Sequence, residues 1–224
     1  MPESATNRPT RLFVTGTDTG IGKTLVSALL CAALDACYWK PIQTGSREGT
    51  DRRTVMRIAE LPRERALPEA YCFSPPVSPH LAARRAGVRI DLRKIRIPAA
   101  ARSGNLVVEG AGGALVPINE KQLTMDLMRH LKLPVVVVSR TALGTINHTL
   151  LTLAALRPEQ LDICGVILCG KPNAENRKAI EHYGGVEVIG AVPMLRKIDR
   201  RTLLEVYRRN FKRIDCMGQK AFHA

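Results

Sequence analysis

The sequence predicts an α/β fold, doubly wound, with a mostly parallel sheet and helices on both faces. Three observations carry this. Short apolar runs bounded by turn residues alternate along the chain with longer Ala- and Leu-rich segments, the pattern of strand–helix–strand units. The strand candidates are continuous rather than alternating, above all Pro134-Val135-Val136-Val137-Val138, as strands buried on both faces are. The first unit also encloses a glycine-rich turn ending in Lys-Thr, within Val14-Thr15-Gly16-Thr17-Asp18-Thr19-Gly20-Ile21-Gly22-Lys23-Thr24.

Each element has its own reason. Leu12-Phe13-Val14 is a short buried strand, and Leu25 to Leu30, free of Gly and Pro, is a helix. Cys37 to Ile42 reads as one short strand that Pro41 ends. Gln43-Thr44-Gly45-Ser46 is a loop, and Thr50-Asp51 opens a helix through Ile58. Leu61 to Pro79 holds five prolines and reads as an irregular connection over the sheet. Helices are expected at His80–Ala86 and at Asp91–Ala101, the latter opposed by Pro98. Asn105 to Glu109 is a strand running into a second glycine loop, Gly110-Ala111-Gly112-Gly113. Further helices are expected at 124–131, 145–156, 174–183 and 200–211, with strands at 164–168 and 186–189. Residues 1–10 read as a flexible tail, and 11–224 as a single domain with a basic C-terminal helix.

Strand, glycine loop, Gly-Lys-Thr, helix is the context that gives a P-loop its mechanism, so the fold is expected to be of P-loop NTPase type. Gly20 and Gly22 let backbone N–H groups converge on one point, toward which the following helix aims its positive end. Lys23 reaches the β- and γ-phosphates, and the Thr24 hydroxyl suits Mg²⁺. Thr17, Asp18, Thr19, Gly20, Ile21, Gly22, Lys23 and Thr24 are therefore the expected ATP-binding segment. Five residues separate Gly16 from Gly22, where the common pattern has four.

Parallel strands would place their C-terminal ends on one rim, where ligands of such sheets bind. That rim carries the phosphate loop, Lys40 with Thr44, Asp51, and Glu109 with its glycines. Thr24, Asp51 and Glu109 are the expected metal ligands, since Mg²⁺ prefers oxygens and one or two carboxylates. A second lysine suits charge building on a transferring phosphoryl group. Taken singly, Asp51 is an ordinary first-turn acid and Lys40 an ordinary strand-end lysine. Glu109 differs, because an acid after Leu-Val-Val must leave the core or find a cation. Thr141 to His148 brings a turn and a helix N-terminus to the same rim, fit either to hold a carboxylate or simply to be capped by Thr145.

Composition bounds the rest. The 224 residues include 45% apolar ones, enough for a sizeable core, but no run approaches the roughly 18 needed to span a membrane. The polar N-terminus is no secretory signal. Six scattered cysteines without a C-x-x-C pair read as buried thiols of a cytoplasmic protein. The net charge of +14 gathers in 84–102 and 196–224; with only 4% aromatics it reads as a solvated basic face rather than a nucleic-acid surface.

At this point the residues resemble a family. Gly16-Thr17-Asp18-Thr19 with Gly22-Lys23-Thr24, Lys40-Pro41 with Thr44-Gly45, Ser78-Pro79-His80, Val108-Glu109-Gly110-Ala111-Gly112-Gly113 and Leu143-Gly144-Thr145-Ile146-Asn147-His148 occur in the order seen in dethiobiotin synthetases. The resemblance covers about residues 11–195. It implies ring closure of 7,8-diaminopelargonic acid with CO₂ and ATP, through a carbamate and a carbamic-phosphoric anhydride, with Mg²⁺. It makes Lys40, Lys23 and Thr44 the catalytic set. It assigns the diamine and carbamate to Thr19, Lys40, Thr44, Glu109, Gly110, Ala111, Gly112 and Gly113. It also implies a homodimer in which the partner's Gly144, Thr145, Ile146 and Asn147 bind the substrate carboxylate. Family members carry an Asn-Asp pair after the strand that is here Val166-Ile167-Leu168. This chain has Cys169-Gly170-Lys171-Pro172-Asn173, leaving Asn173 as the candidate to read adenine, with Pro193, Met194 and Leu195 at the other edge of the base.

Two rivals are weighed against this. A partition-type P-loop ATPase that binds DNA or a protein would carry a lysine where Asp18 stands. An amidoligase of cobalamin synthesis would need a glutamine-hydrolysing domain that 224 residues do not provide. No nucleic acid and no membrane are expected as partners.

Overall fold

The computed structural model describes residues 9–212 and 214; the expected tail falls almost wholly outside them. Seven strands form one parallel sheet in the order β4-β2-β6-β1-β7-β8-β9. They are β1 (Arg11–Gly16), β2 (Cys37–Trp39), β4 (Ala66–Leu67), β6 (Leu106–Glu109), β7 (Val135–Arg140), β8 (Ile163–Cys169) and β9 (Val188–Val192). Two further short strands, β3 (Ile42–Gln43) and β5 (Tyr71–Cys72), pair with each other in parallel. The helices are α1 (Lys23–Leu34), α2 (Asp51–Ala59), α3 (Pro79–Arg85), α4 (Thr124–Leu131), α5 (Thr145–Leu156), α6 (Ala174–Gly184) and α7 (Arg200–Asn210). The doubly wound α/β reading of the sequence is thus the fold.

Strand periodicity divides the core in two. Phe13, Val108, Val135 and Val137 face α3, α4, α5 and α6, meeting Ala82, Leu127, Met128, Leu153 and Ile180. Leu12, Val14, Val107, Val136 and Val138 face α1, α2 and α7, meeting Leu29, Leu30, Val55, Ile58 and Leu203. With both faces covered, the central strands β1, β6 and β7 are buried along nearly their whole length, and this is why their runs are continuous. β1 lies between β6 and β7, and the connections depart in opposite directions about it. The phosphate loop therefore leaves the sheet at its switch point, the usual ligand crevice of such folds.

The structure corrects several expectations. Cys37–Ile42 is not one strand: Pro41 has no N–H to give, so β2 ends at Trp39 and β3 begins a separate ribbon. The proline-rich connection contributes β4 to the main sheet and β5 to that ribbon, each only two residues long. Asp91–Ala101 holds two single 3₁₀ turns, Leu92–Lys94 and Ala99–Ala101, because Ile90 and Ile95 are anchored in the core and Pro98 stops any helix. The last strand runs to Val192 rather than Ile189. The basic helix stops at Asn210; Phe211 then forms an antiparallel bridge with Gly190, and Lys212 N–H donates to Ile189 O at 2.9 Å. Of the cysteines among the described residues, Cys31, Cys37, Cys72 and Cys169 are free as expected, but only Cys31 is buried and Cys72 is exposed, whereas Cys164 is disulfide-bonded. No described helix is long and apolar enough to cross a membrane.

Gly165 marks the point where β8 slips register against β7. Its φ is +148°, and a Cβ there would stand 2.7 Å from the Glu187 carbonyl oxygen and 2.6 Å from Ile189 Cγ2. Gly165→Ala is expected to lower the unfolding free energy by about 2–4 kcal/mol in a urea titration, the scale of overpacking against unyielding backbone. A loss under about 0.5 kcal/mol would show that β9 and the residue before it can move away from β8 there.

Candidate active site

The phosphate loop needs glycine where it turns. Gly20 and Gly22 have φ of +67° and +104°, and Gly22 ends the loop as the cap of α1 without any side chain capping the helix. The first N–H groups of α1 are thereby left to a ligand. Lys23 is buried, and its Nζ donates to the Asp18 carbonyl at 2.7 Å across the loop. Burial pulls its pKa below the ordinary lysine value and Lys40 adds to this, against the opposing pull of Glu109. Asp18 organises the loop from outside: its carboxylate accepts the Thr19 N–H at 2.6 Å and holds Arg140, whose guanidinium also donates to Thr19 O at 3.2 Å. Ile21 points into the core, 3% exposed, so only its backbone is on offer.

Beside the loop lies a cluster of charges with little access to water. Lys40 and Glu109 are 6% and 1% exposed. The Lys40 ammonium is paired with Asp51 Oδ2 and donates to Glu109 Oε1 at 3.2 Å. Thr24 Oγ1 stands 3.1 Å from Asp51 Oδ1 and 3.0 Å from Glu109 Oε1. One hydroxyl proton serves only one of these at a time, so three oxygens share one point. The outer Glu109 oxygen accepts the buried Tyr38 hydroxyl at 2.9 Å. Gln43 Oε1 accepts the Asp51 N–H at 3.0 Å and its Nε2 donates to Thr44 O at 2.6 Å, fixing the first turn of α2. Burial acts to depress the Lys40 pKa, but Glu109 and Asp51 together outweigh it and hold the ammonium above its ordinary value. For Asp51 burial acts upward, and Lys40 outweighs it in turn, so the carboxyl is held below its ordinary value.

These groups open on one cavity of about 570 Å³ whose wall includes Thr19, Gly20, Lys23, Thr24, Lys40, Thr44, Asp51 and Glu109. Pro76, Val77 and Ser78 close one side, and Ala111, Gly112 and Val116 another. The second glycine loop is packed, not open: a Cβ on Gly110 would stand 2.8 Å from the Phe13 ring, and one on Gly113 3.1 Å from Gly16 O. Its glycines let it pass directly over the phosphate loop. A second cavity of about 360 Å³ meets the first at Thr19 and Val116 and takes in Thr17, Asp18, Gly113, Leu115, His148 and Leu151.

Other expected residues lie apart from this centre. Gly144 (φ +90°), Thr145, Ile146 and Asn147 line neither cavity of their own chain; Thr145 is buried, 2.8 Å from Ser139 Oγ. Asn173 and Pro193 share a third cavity of about 490 Å³ with Thr141, Gly170, Arg177 and Phe211. The Asn173 side-chain oxygen caps α6, accepting the Asn176 N–H at 2.9 Å. Met194 is exposed and Leu195 packs against the α1-side core, so neither lines that cavity. Tyr38, Gln43 and Arg140 escaped the sequence reading. A phenol in an otherwise apolar strand is a signal for the first, since a buried hydroxyl seeks a partner.

Comparison with known proteins bears on this arrangement. A family model described as an AAA domain matches residues 10–202. The ATP-dependent dethiobiotin synthetase BioD of Paramagnetospirillum magneticum is 53% identical over 192 residues, 86% of this chain and 92% of that protein. That of Brucella ovis is 47% identical over 208 residues, 93% of this chain and 97% of its own. Among solved structures, a ParA family ATPase from Chlorobium tepidum TLS has a TM-score of 0.53 at 13% identity, covering 88% of this chain and 90% of its own. MinD from Aquifex aeolicus has 0.51 at 15%, covering 89% and 96%. At such identities the likeness is one of fold.

The Asp51 carboxyl is depressed in the folded protein, so its stabilising contribution is complete above the ordinary value of 3.8 and drains away as pH falls through the lower folded value. In Asp51→Asn that titration is gone. Its urea midpoint is expected to decline less steeply than wild type from about pH 5 to pH 2. Parallel declines would place the acid sensitivity at another group.

Proposed function

The chain belongs to the ATP-dependent dethiobiotin synthetase family, and from that premise we propose that the main cavity closes the ureido ring of 7,8-diaminopelargonic acid. CO₂ adds to one amine, the carbamate oxygen takes the γ-phosphoryl group of ATP, and the second amine displaces phosphate to give dethiobiotin, ADP and phosphate. The observation that carries the reading is the meeting of two buried lysines, Lys23 at the start of α1 and Lys40 just after β2, with Glu109 and Asp51 in one cavity beside a P-loop.

The chemistry asks for no protein nucleophile. Lys23, with the free N–H groups of α1, is suited to the terminal phosphates of ATP. Lys40 is suited to charge on the phosphoryl group in flight, because it is already oriented and desolvated when that charge appears. Thr44 lies on the same wall, as its proposed place near the transferred phosphate requires. The three oxygens of Thr24, Asp51 and Glu109 fit a hard divalent cation such as Mg²⁺. Bound there, Mg²⁺ would offset negative charge on the phosphates. Thr19 and the Glu109–Gly113 loop border the space proposed for the diamine. Asn173 and Pro193 are proposed for the base, with a smaller part for Met194 and Leu195 than the sequence suggested. The enzyme is proposed to work in the cytoplasm.

The same reading proposes a homodimer. Gly144–Asn147 does not line its own chain's cavities, and the neighbouring surface carries exposed Leu115, Leu143 and Leu151. A partner's turn seated there would bring free N–H groups of α5 to the substrate carboxylate.

Two outcomes test these points. ADP release should require ATP, the diamine and bicarbonate together, and Lys40→Ala should lose roughly 10²–10³-fold in turnover, the scale for one well-aimed charge stabiliser. Diamine-independent ADP release would end the synthetase reading, and a Lys40→Ala enzyme of normal turnover would remove that lysine from the chemistry. Sedimentation should give a dimer, with Leu151→Arg shifting it to monomer and lowering activity; a fully active wild-type monomer would refute the shared site.

A further inference from the structure

We propose that Ser78 and His80 form a proton relay that deprotonates the substrate ammonium, an inference that rests on the reaction given above. Ser78 is the cap residue of α3, yet it makes no capping bond. A serine there ordinarily accepts a helix N–H. Here the hydroxyl is turned to His80 Nδ1, 3.1 Å away. The His80 backbone N–H donates to Pro117 O at 3.2 Å, which ties the turn to the loop beyond the second glycine bend. Ser78 lies on the wall of the main cavity with Lys40, Thr44 and Glu109.

The reaction needs such a group. The diamine arrives as an ammonium, and R–NH₃⁺ plus CO₂ gives R–NH–COO⁻ plus two protons. The N–C bond forms only when the nitrogen lone pair is free. The ionisable side chains of that cavity are Lys23 of α1, Lys40 after β2, Asp51 of α2 and Glu109 of β6; on α3 itself Arg84 follows His80 by one turn. The lysines are donors, and both carboxylates are engaged by Lys40 and Thr24. With the ring proton on Nε2, Ser78 donates to Nδ1 and keeps its lone pairs for the ammonium. Ser78 Oγ takes a proton from nitrogen as its own passes to Nδ1; the imidazolium then loses one proton to water, and exchange with solvent returns the remaining one to Nε2 before the next transfer. Each passage moves one proton, the first before the N–C bond forms and the second from the nitrogen after it, so two passages carry off both protons and no oxidant or further reactant is consumed. Ser78 meets the substrate; His80 acts through it and is a positioning and relay residue.

The test is kcat/KM for the diamine from pH 6.5 to 9.5 at saturating ATP and bicarbonate, read as the ratio of variant to wild type so that the falling CO₂ fraction cancels. His80→Gln and Ser78→Ala are expected to lie about 10²-fold below wild type near pH 7, the lower range of general-base catalysis. The deficit should shrink about tenfold by pH 9.5, as more diamine arrives already deprotonated. ADP binding should be unchanged. Variants within about twofold of wild type, or a deficit equal at every pH, would overturn the relay. Ser78→Ala removes a hydroxyl that makes no capping bond, so it decides the matter should His80→Gln be unstable. A wild type without diamine-dependent ADP release overturns relay and reaction together; an active wild type with unaltered variants overturns the relay alone.

Discussion

An ammonium held between two carboxylates, almost out of reach of water, governs how this rim is built. Taking ions out of water costs several kcal/mol each, and the cost is offset only when partners are close and their remaining hydrogen bonds are filled. Here the three partners come from three places: Lys40 after β2, Asp51 at the start of α2 and Glu109 at the end of β6. Tyr38 and Gln43 fill the outer bonds. The cluster thus fixes strand ends relative to one another, and it binds them to α1 through Thr24. In the proposed reaction, charge would be in place before any phosphate arrives, leaving little reorganisation for the moment of reaction.

Much of this was legible in the residues. β1, β6 and β7 were readable because strands buried on both faces need unbroken apolar runs, and Glu109 because an acid closing such a run demands a cation. The short elements were not. β4 and β5 are two residues each, too brief for any periodicity, and lie among prolines that argue for loop. The expected helix at 91–101 gave way to two short 3₁₀ turns, because Pro98 cannot continue a helix and disfavours helical backbone just before it. Nor did the residues say that the Asn173 oxygen would be used to cap α6, or that Gly144–Asn147 would line neither cavity of its own chain. Such facts depend on distances between elements, which a linear pattern does not contain.

The fold is shared with a ParA family ATPase and with MinD, while the side chains around the loop set its chemistry. A lysine early in the loop marks the partition-type proteins. The corresponding Asp18 here turns its carboxylate to its own loop and to Arg140, and its carbonyl receives Lys23. That place is therefore used to shape the phosphate cradle from within one chain. The glycines of the second loop belong to the same design, because only their missing side chains let Gly113 cross Gly16 so closely. Architecture supplies the crevice; the side chains about it decide what is done there.

The bridge from Phe211 to Gly190 has a bearing on handling the protein. Sheets with bare borders tend to recruit foreign chains. One border here is the two-residue β4, and the other, β9, is partly covered by the molecule's own trailing segment, whose ring lies where Gly190 has no side chain. A fusion partner or purification tag spliced in directly after α7 would peel that cover away, leaving a sticky margin and a solution prone to clumping although the reaction centre itself was untouched.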